Sequence, residues 1–556
     1  MNLHGFSFDL GRNVRGDAAI LKRHVDRLAE FGFNLMTINL EHRFEYPSAP
    51  GAAPPGSLTA DTAADLVRYG RDRGIEVVPQ PNLIGHCEGL LATERHAYLS
   101  ADPWQQLPWG GSEQLNLEQP AARDLARALI GDACRAFPGK FLHLGGDEVR
   151  QMTCLFPGQP DRQREQLLEQ FRFVLGLARE TGRQILMWGD MLLHHEAILE
   201  SVPRETIVCD WHYGPQGSRD TLERLQANGF RVLACPAVDT FSGFGPRLAE
   251  SSANIARMIG DARDLALEGF LLTSWEFGFG CGSDLVWPWV AMAAAIARGE
   301  PVTEPDAFLA EFAARRYGVD GGAFVRLHHL LDDELAATIG IFGGTKLAPR
   351  QLRKELFRGA YPVASALRPA GWPANEHQQL WEPSPFQAWL FLRPGLDEAA
   401  LRRFDLLGRE SSELAGRLVA GARRNPDELA ALGGLGRSLA VLADRLRILQ
   451  TAHQHYHRAA EAQSRDPAGY RRNLDDAIGE LEKLEPGIET LEDVVGQIDR
   501  TTGLDPGEKH WLAIHRQSLR DHVAALRDKP PAADSLLEFG EFLRRPAAIS
   551  QRLWWR

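Results

Sequence analysis

The sequence predicts an α/β fold, a (β/α)8 TIM barrel over residues 1–300 followed by a mostly α-helical C-terminal domain over residues 301–556. Three observations carry this expectation. Short apolar, β-rich runs alternate with helix-patterned segments eight times before Pro301. Beyond Pro301 such runs nearly vanish while helical apolar periodicity continues. At 556 residues the chain exceeds one ordinary domain of roughly 150 residues. Eight β/α units in its first half fit a barrel better than a doubly wound sheet, which more often shows fewer strands and a glycine-rich first turn.

The predicted strands are residues 5–8, 34–40, 75–80, 141–145, 185–188, 206–211, 231–235 and 269–275. Continuously apolar runs such as Ile185-Leu186-Met187-Trp188 belong in a parallel sheet covered on both faces. Between the first strands, residues 17–31 place Ile20, Leu21, Val25 and Leu28 at helical spacing, and residues 60–74 follow the same pattern. In the second half, residues 428–463 set Leu439, Leu442, Leu446 and Leu449 on one helical face. Residues 371–385, rich in Pro and polar side chains, read as a long loop. No G-x-G-x-x-G or P-loop sequence follows any strand, so no nucleotide cofactor is expected.

Composition narrows the partners. The chain is 44% hydrophobic and 24% charged, with 53 Gly and 33 Pro dispersed along it, which excludes collagenous and low-complexity classes. Its formal charge is −12 and no basic block stands out, which argues against nucleic acid or an anionic membrane and leaves a small-molecule ligand. The opening MNLHGFSFDLGRN lacks the parts of a signal peptide, and no stretch approaches the ~20 apolar residues of a membrane span. A cytoplasmic location is expected. Six cysteines without a C-x-x-C pair read as reduced, buried thiols.

In a barrel of this type the active site lies at the C-terminal ends of the strands. Those ends are polar and aromatic: Asp9 and Arg12, Glu41-His42, His86, Asp147-Glu148, Trp188-Gly189-Asp190, Trp211-His212-Tyr213 and Trp275-Glu276. Three tryptophans in register suggest walls around a compact ring, since aromatic faces stack on the C–H faces of a pyranose while oriented polar groups bind its hydroxyls. Within Phe-Leu-His-Leu-Gly-Gly-Asp-Glu-Val, residues 141–149, the two glycines let the backbone leave strand geometry, so Asp147 and Glu148 can both reach one pocket. Two carboxylates there should titrate apart, the more desolvated one staying protonated to act as an acid. An isolated Asp-Glu is as well read as a helix N-cap pair; the barrel and the tryptophans favour chemistry.

His143, Gly145, Gly146, Asp147 and Glu148 match the His-x-Gly-Gly-Asp-Glu signature at the end of strand 4 in glycoside hydrolase family 20, the β-N-acetylhexosaminidases. The sequence resembles that family over roughly residues 1–300, through Pro79 to His86 and the tryptophans of strands 5, 6 and 8. The resemblance implies exo-acting, retaining hydrolysis in which the sugar's own 2-acetamido oxygen is the nucleophile, releasing terminal GlcNAc or GalNAc from a glycoside or short oligosaccharide. It implies Glu148 as acid and then base, and Asp147 as the group that orients the acetamido N–H. His86, paired with Glu41, would tune Glu148. Trp188, Trp211 and Trp275 would box the acetamido group and floor the sugar, with Asp190, Tyr213 and Glu276 also in the binding site. Three positions depart from the family pattern. His4-Gly5 stands where an Arg-Gly pair is common, no tyrosine occurs in residues 231–245, and the strand-8 Trp-x-Glu reads Trp275-Glu276-Phe277. The early first strand and the helical second half resemble a bacterial subgroup without the preceding small α/β domain.

Two other readings stay open: a catalytically silent sugar-binding barrel, and a barrel hydrolase that uses Asp147 and Glu148 as a conventional pair. His453, His455 and His457 share helical spacing, but with no acidic or cysteine constellation beside them no metal is expected there, and no cofactor is expected elsewhere. Leu553-Trp554-Trp555 reads as a packing tail, and the helical half could also build a homodimer interface.

Overall fold

The computed structural model describes residues 1–11, 15–91, 93, 95–102, 114–150, 152–275, 280–332, 398–462 and 465–502, together with isolated helical positions in 334–356 and 512–528. Arg12, the expected loop at 371–385 and the tail at 553–555 lie outside the described residues. Eight strands form one sheet: β1 (Leu3–Asp9), β2 (Leu35–Asn39), β3 (Glu76–Gln80), β4 (Phe141–His143), β5 (Gln184–Trp188), β6 (Ile207–Trp211), β7 (Arg231–Cys235) and β8 (Gly269–Ser274). Their order is β3-β2-β1-β8-β7-β6-β5-β4, and the ladders are parallel. The two end strands, β3 and β4, come side by side, and the Lys140 N–H donates to Glu76 Oε1 at 2.6 Å across that seam. This is the expected barrel. Each predicted strand meets an observed one to within two residues at either end. β4 ends two residues early, at His143, because Gly145 and Gly146 turn to φ of 69° and 86°.

Strand alternation sorts side chains into two layers. Leu35, Val78, Leu186, Trp188, Ile207, Cys209, Leu233, Cys235 and Leu271 fill the barrel interior. Phe6, Phe8, Met36 and Ile38 face the opposite way, in one cluster with Leu21, Val25 and Leu28 of the helix Ala18–Glu30. That helix starts where Asp17 accepts the N–H of Ala19 at 2.8 Å and of Ile20 at 3.3 Å, an N-cap worth about 1 kcal/mol. Among the described residues, none of the six cysteines forms a disulfide.

The helical half contains Pro305–Arg316, Gly321–Leu331, Glu398–Gly421, Ala430–Ala462, Pro467–Glu482 and Glu485–Thr502. Leu439, Leu442, Leu446 and Leu449 are all buried, as their spacing predicts. Glycines let Glu398–Gly421 and Ala430–Ala462 pack closely. A Cβ on Gly436 would lie 2.7 Å from Ala415 Cβ, and one on Gly408 2.8 Å from Ala443 Cβ. Among the described residues no helix is long and apolar enough to cross a membrane.

The two halves meet at a buried carboxylate. Glu428, 4% exposed, forms an ion pair with Arg27 Nε at 2.7 Å on the first barrel helix. It also accepts Nε and Nη2 of Arg316 at 3.0 and 2.9 Å, while Arg316 Nη1 reaches Glu30 at 2.6 Å. Removing the anion leaves the guanidinium groups of Arg27 and Arg316 with only the more exposed Glu30 to share. Glu428→Ala should therefore cost of order 3 kcal/mol, read as a lower denaturant midpoint at unchanged slope. Adding Arg316→Met to that variant should cost less than the sum of the two single changes.

Candidate active site

Consecutive residues of a regular strand point to opposite faces, so bringing Asp147 and Glu148 together needs a distorted backbone. Gly145 and Gly146 have positive φ, and so does Glu148, at 50°. A side chain on Gly145 is excluded on a second ground, because its Cβ would sit 2.3 Å from Asn82 Oδ1. His143 braces the turn from beneath: its Nδ1 accepts the Gly145 N–H at 3.0 Å, and its ring lies 4.5 Å from that of Trp188. Burial lowers the His143 pKa to about 3, so the ring stays neutral and can accept. From the far side, Asp190 Oδ2 accepts the Glu148 N–H at 2.9 Å.

Both carboxylates then face one imidazole. His86 Nε2 is 3.4 Å from Asp147 Oδ2 and 3.5 Å from Glu148 Oε2. Burial opposes a charge on this ring, but the carboxylates of Asp147 and Glu88 outweigh it and hold the pKa well above the ordinary histidine range. His86 is thus an imidazolium at neutral pH. The acid on its Nδ1 is Glu88, at 3.1 Å, where the sequence pointed to Glu41. The reason is local. His86 has φ 53°, which folds the chain back so that a residue two positions on meets the ring. Glu41, itself at φ 41°, stays in the group and accepts from Asn39 Nδ2 at 3.2 Å. Among the described residues, Glu41, His86 and Glu88 form the one His, Cys, Asp or Glu group close enough to share a metal ion, with donor atoms within 4.8 Å of one another.

The aromatic residues separate into a floor and a wall. Trp188 is 1% exposed and belongs to the barrel interior, so it floors the site from below and offers no free face. Its ring lies 6.0 Å from Trp275. Trp211 and Tyr213 stack at 5.1 Å, and Trp275 Nε1 donates to the Tyr213 hydroxyl at 2.9 Å. Trp211, Tyr213 and Trp275 are partly exposed and form one continuous surface. Burial pushes the Tyr213 hydroxyl up from its ordinary pKa, so it stays a neutral phenol. Glu276 lies outside the described residues.

Several contributors were not found from the sequence. An amide layer lies under the acids: Asn39 Nδ2 donates to Asp9 Oδ1 at 3.1 Å, Asn82 Nδ2 to Asn39 Oδ1 at 3.1 Å, and Gln80 Nε2 to Asn82 Oδ1 at 3.3 Å. Their signal was present, since polar residues on otherwise apolar strands must be satisfied if buried. Arg150 reaches Glu148 Oε1 from the solvent side, two residues beyond the signature. His4 sits at the N-terminal end of β1 with its ring stacked 5.1 Å from Phe270, far along the strand from Asp9, so it does not take the place of a sugar-binding arginine.

A parallel barrel with two acids, an imidazole and an aromatic wall at its strand ends has the parts that acid–base hydrolysis requires. Residues 4–246 match the glycosyl hydrolase family 20 catalytic domain, so the barrel is similar to that family. A probable beta-hexosaminidase of Arthroderma benhamiae is 23% identical over 269 residues, 42% of this chain and 42% of the relative. The beta-N-acetylhexosaminidase of Cellulomonas fimi is 25% identical over 230 residues, 37% of this chain and 42% of the relative. The chain thus spans less than half the length of these curated relatives. Among solved structures, a mutant Streptomyces plicatus beta-hexosaminidase in complex with product GlcNAc is 17% identical with a TM-score of 0.43, covering 58% of this chain and 68% of that one.

The electrostatics yield a pH dependence. Burial, with the charge of Asp147 second, pushes Asp190 up to about 7. Folding therefore makes this carboxyl bind its proton more tightly, and the folded chain holds the extra proton between the ordinary carboxylate range and about pH 7. Its contribution to stability is full at low pH and is lost as pH rises through that window. Asp190→Asn keeps an acceptor for the Glu148 N–H and removes the titration, so denaturant midpoints measured from pH 4 to 8 should fall less steeply with pH than in the wild type.

Proposed function

We propose that this chain is an exo-acting, retaining β-N-acetylhexosaminidase that uses the substrate's 2-acetamido group as nucleophile. The observation that carries this reading is the pair of consecutive carboxylates turned onto one imidazole, that of His86, beside an aromatic wall. Glu148, the more exposed of the two acids, lies where a leaving group can be reached from solvent, whereas Asp147 is the more enclosed. In the first step Glu148 gives its proton to the glycosidic oxygen as the C1–O bond breaks. The acetamido carbonyl oxygen bonds to C1 on the opposite face, and Asp147 accepts the acetamido N–H and offsets the positive charge of the oxazolinium. In the second step the Glu148 carboxylate takes a proton from water as that water bonds to C1, which opens the oxazolinium with net retention.

His86 serves both halves of this cycle. Its one contact orients the Asp147 carboxylate, and its second steadies the Glu148 carboxylate formed in the first step. Trp211, Tyr213 and Trp275 would wrap the acetamido methyl and one sugar face, with Trp188 supporting Trp275 from below. The ligand class is a small glycoside or short oligosaccharide ending in GlcNAc or GalNAc.

The wild type should hydrolyse aryl β-GlcNAc or β-GalNAc while leaving the matching β-glucoside and β-galactoside untouched, since those lack the nucleophile. Turnover of the plain sugars at comparable rates would sink substrate assistance. Glu148→Gln should lower kcat by about 10²–10⁴-fold with little change in affinity for a thiazoline mimic of the intermediate. Silence of the wild type on all four substrates would favour a binding role.

A further inference from the structure

The segment 236–247, which follows β7, lies between the aromatic wall and the helical half. Toward the wall, the Val238 N–H donates to Thr273 O at 2.9 Å and Thr240 Oγ1 donates to Trp275 O at 2.7 Å. The Phe241 ring stands 5.4 Å from that of Tyr213. Trp275 and Tyr213 are themselves joined, so the position of this loop sets the position of both.

On its other side the loop is gripped by residues of the helical half. Arg353 is 0% exposed. Its Nη1 donates to Phe244 O at 2.9 Å and Gly243 O at 3.4 Å, and its Nη2 to Thr240 O at 3.2 Å. Asp332, also 0% exposed and capping the helix Gly321–Leu331, accepts from Arg247 Nε at 3.0 Å. A Cβ on Gly245 would lie 3.2 Å from Leu435 Cδ1 of the helix Ala430–Ala462. Three loop carbonyls lack sheet partners, and a buried guanidinium is tolerated only where its donors are used. The Nη donors of Arg353 take the carbonyls, while its Nε has no hydrogen-bond partner among the described residues, and the fork fixes the loop in one shape.

We propose that Arg353 and Asp332 are positioning residues through which the helical C-terminal half holds the loop after β7 and so completes the sugar-binding wall. The part concerning sugar rests on the function proposed above. The helical half is then a working part of the site, although none of the acid–base residues comes from it.

The test uses the full chain with Arg353→Met, Arg353→Lys and Asp332→Asn, and with Glu428→Gln as a control at the other contact between the halves. Hydrogen exchange of 236–247, near-UV circular dichroism, and kcat and KM on the better aryl glycoside are measured for each. Arg353→Met should raise exchange in 236–247, alter the aromatic signal and raise KM about tenfold or more with a smaller change in kcat. Arg353→Lys should restore part of this, Asp332→Asn should give a milder version, and Glu428→Gln should leave KM unchanged. Faster exchange in the loop with unaltered aromatic signal and kinetics would overturn the proposal. Should Arg353→Met fail to fold, Thr240→Val cuts the same chain of contacts at the wall and must raise KM in its place. If the wild type turns over no glycoside, the catalytic reading falls separately, and exchange with the aromatic signal still decides whether the clamp sets the wall.

Discussion

The site depends on a backbone constraint at the end of β4. A strand that continued regularly through residues 144–148 would send Asp147 and Glu148 to opposite faces, one into the site and one toward the surrounding helices. The left-handed turn at Gly145, Gly146 and Glu148 prevents this. For a glutamate such a conformation is unfavourable, of order 1–3 kcal/mol, and it persists only where the surroundings over-determine it. Here they do, through Asp190 on the Glu148 N–H and His143 on the Gly145 N–H. Of the five non-glycine residues with positive φ among those described, three are Glu41, His86 and Glu148. Strain is concentrated at the ends of neighbouring strands, where the acids and the imidazole must converge.

That convergence creates an electrostatic division of labour. Five carboxyl groups, those of Glu41, Glu88, Asp147, Glu148 and Asp190, crowd into one region, and they could not all be ionised without a cation among them. His86 supplies that cation from the buried side and Arg150 from the solvent side. Asp190 is left without one close by, and burial beside Asp147 raises its pKa. The same crowding that destabilises one acid therefore stabilises the charge on His86. The cluster draws these groups from β2 to β5 and the loops that follow them.

Much of this was legible in the sequence because period and punctuation carried it. All eight strands were visible as apolar runs, and the helix Ala430–Ala462 was visible in its leucine spacing. The pair Asp147 and Glu148 stood out because two glycines before two acids at a strand end have few other uses. What could not be read were the pairings that depend on backbone reversal. Glu88 meets His86 only because His86 is left-handed, and nothing in the residue string signals that a histidine will adopt φ 53°. Likewise Trp188 reads the same as Trp211 and Trp275 at a strand end, yet it packs among Leu186, Cys209 and Leu233 because its position falls on the inward face below the rim. Interior depth is a property of barrel register, which a single strand does not reveal.

The helical half raises a question of economy that the barrel alone does not. A barrel encloses its own core, so an added helical unit is not needed to bury the strands. The contacts it makes are uneven. One set, centred on Glu428 and Arg316, joins it to the barrel helix Ala18–Glu30. The other reaches past the helical ring to backbone carbonyls of a loop at the catalytic face. Loops at that face carry function because they are free to vary, and the same freedom makes them poor supports for an aromatic wall. A loop that lacks sheet partners for its carbonyls can be made rigid either by its own side chains, as Asp239 does in accepting the N–H of Phe241 and Ser242, or by a buried donor from elsewhere. Arg353 is such a donor, and its burial against three carbonyls is hard to account for by adhesion between domains alone, since apolar packing would achieve that without desolvating a charge.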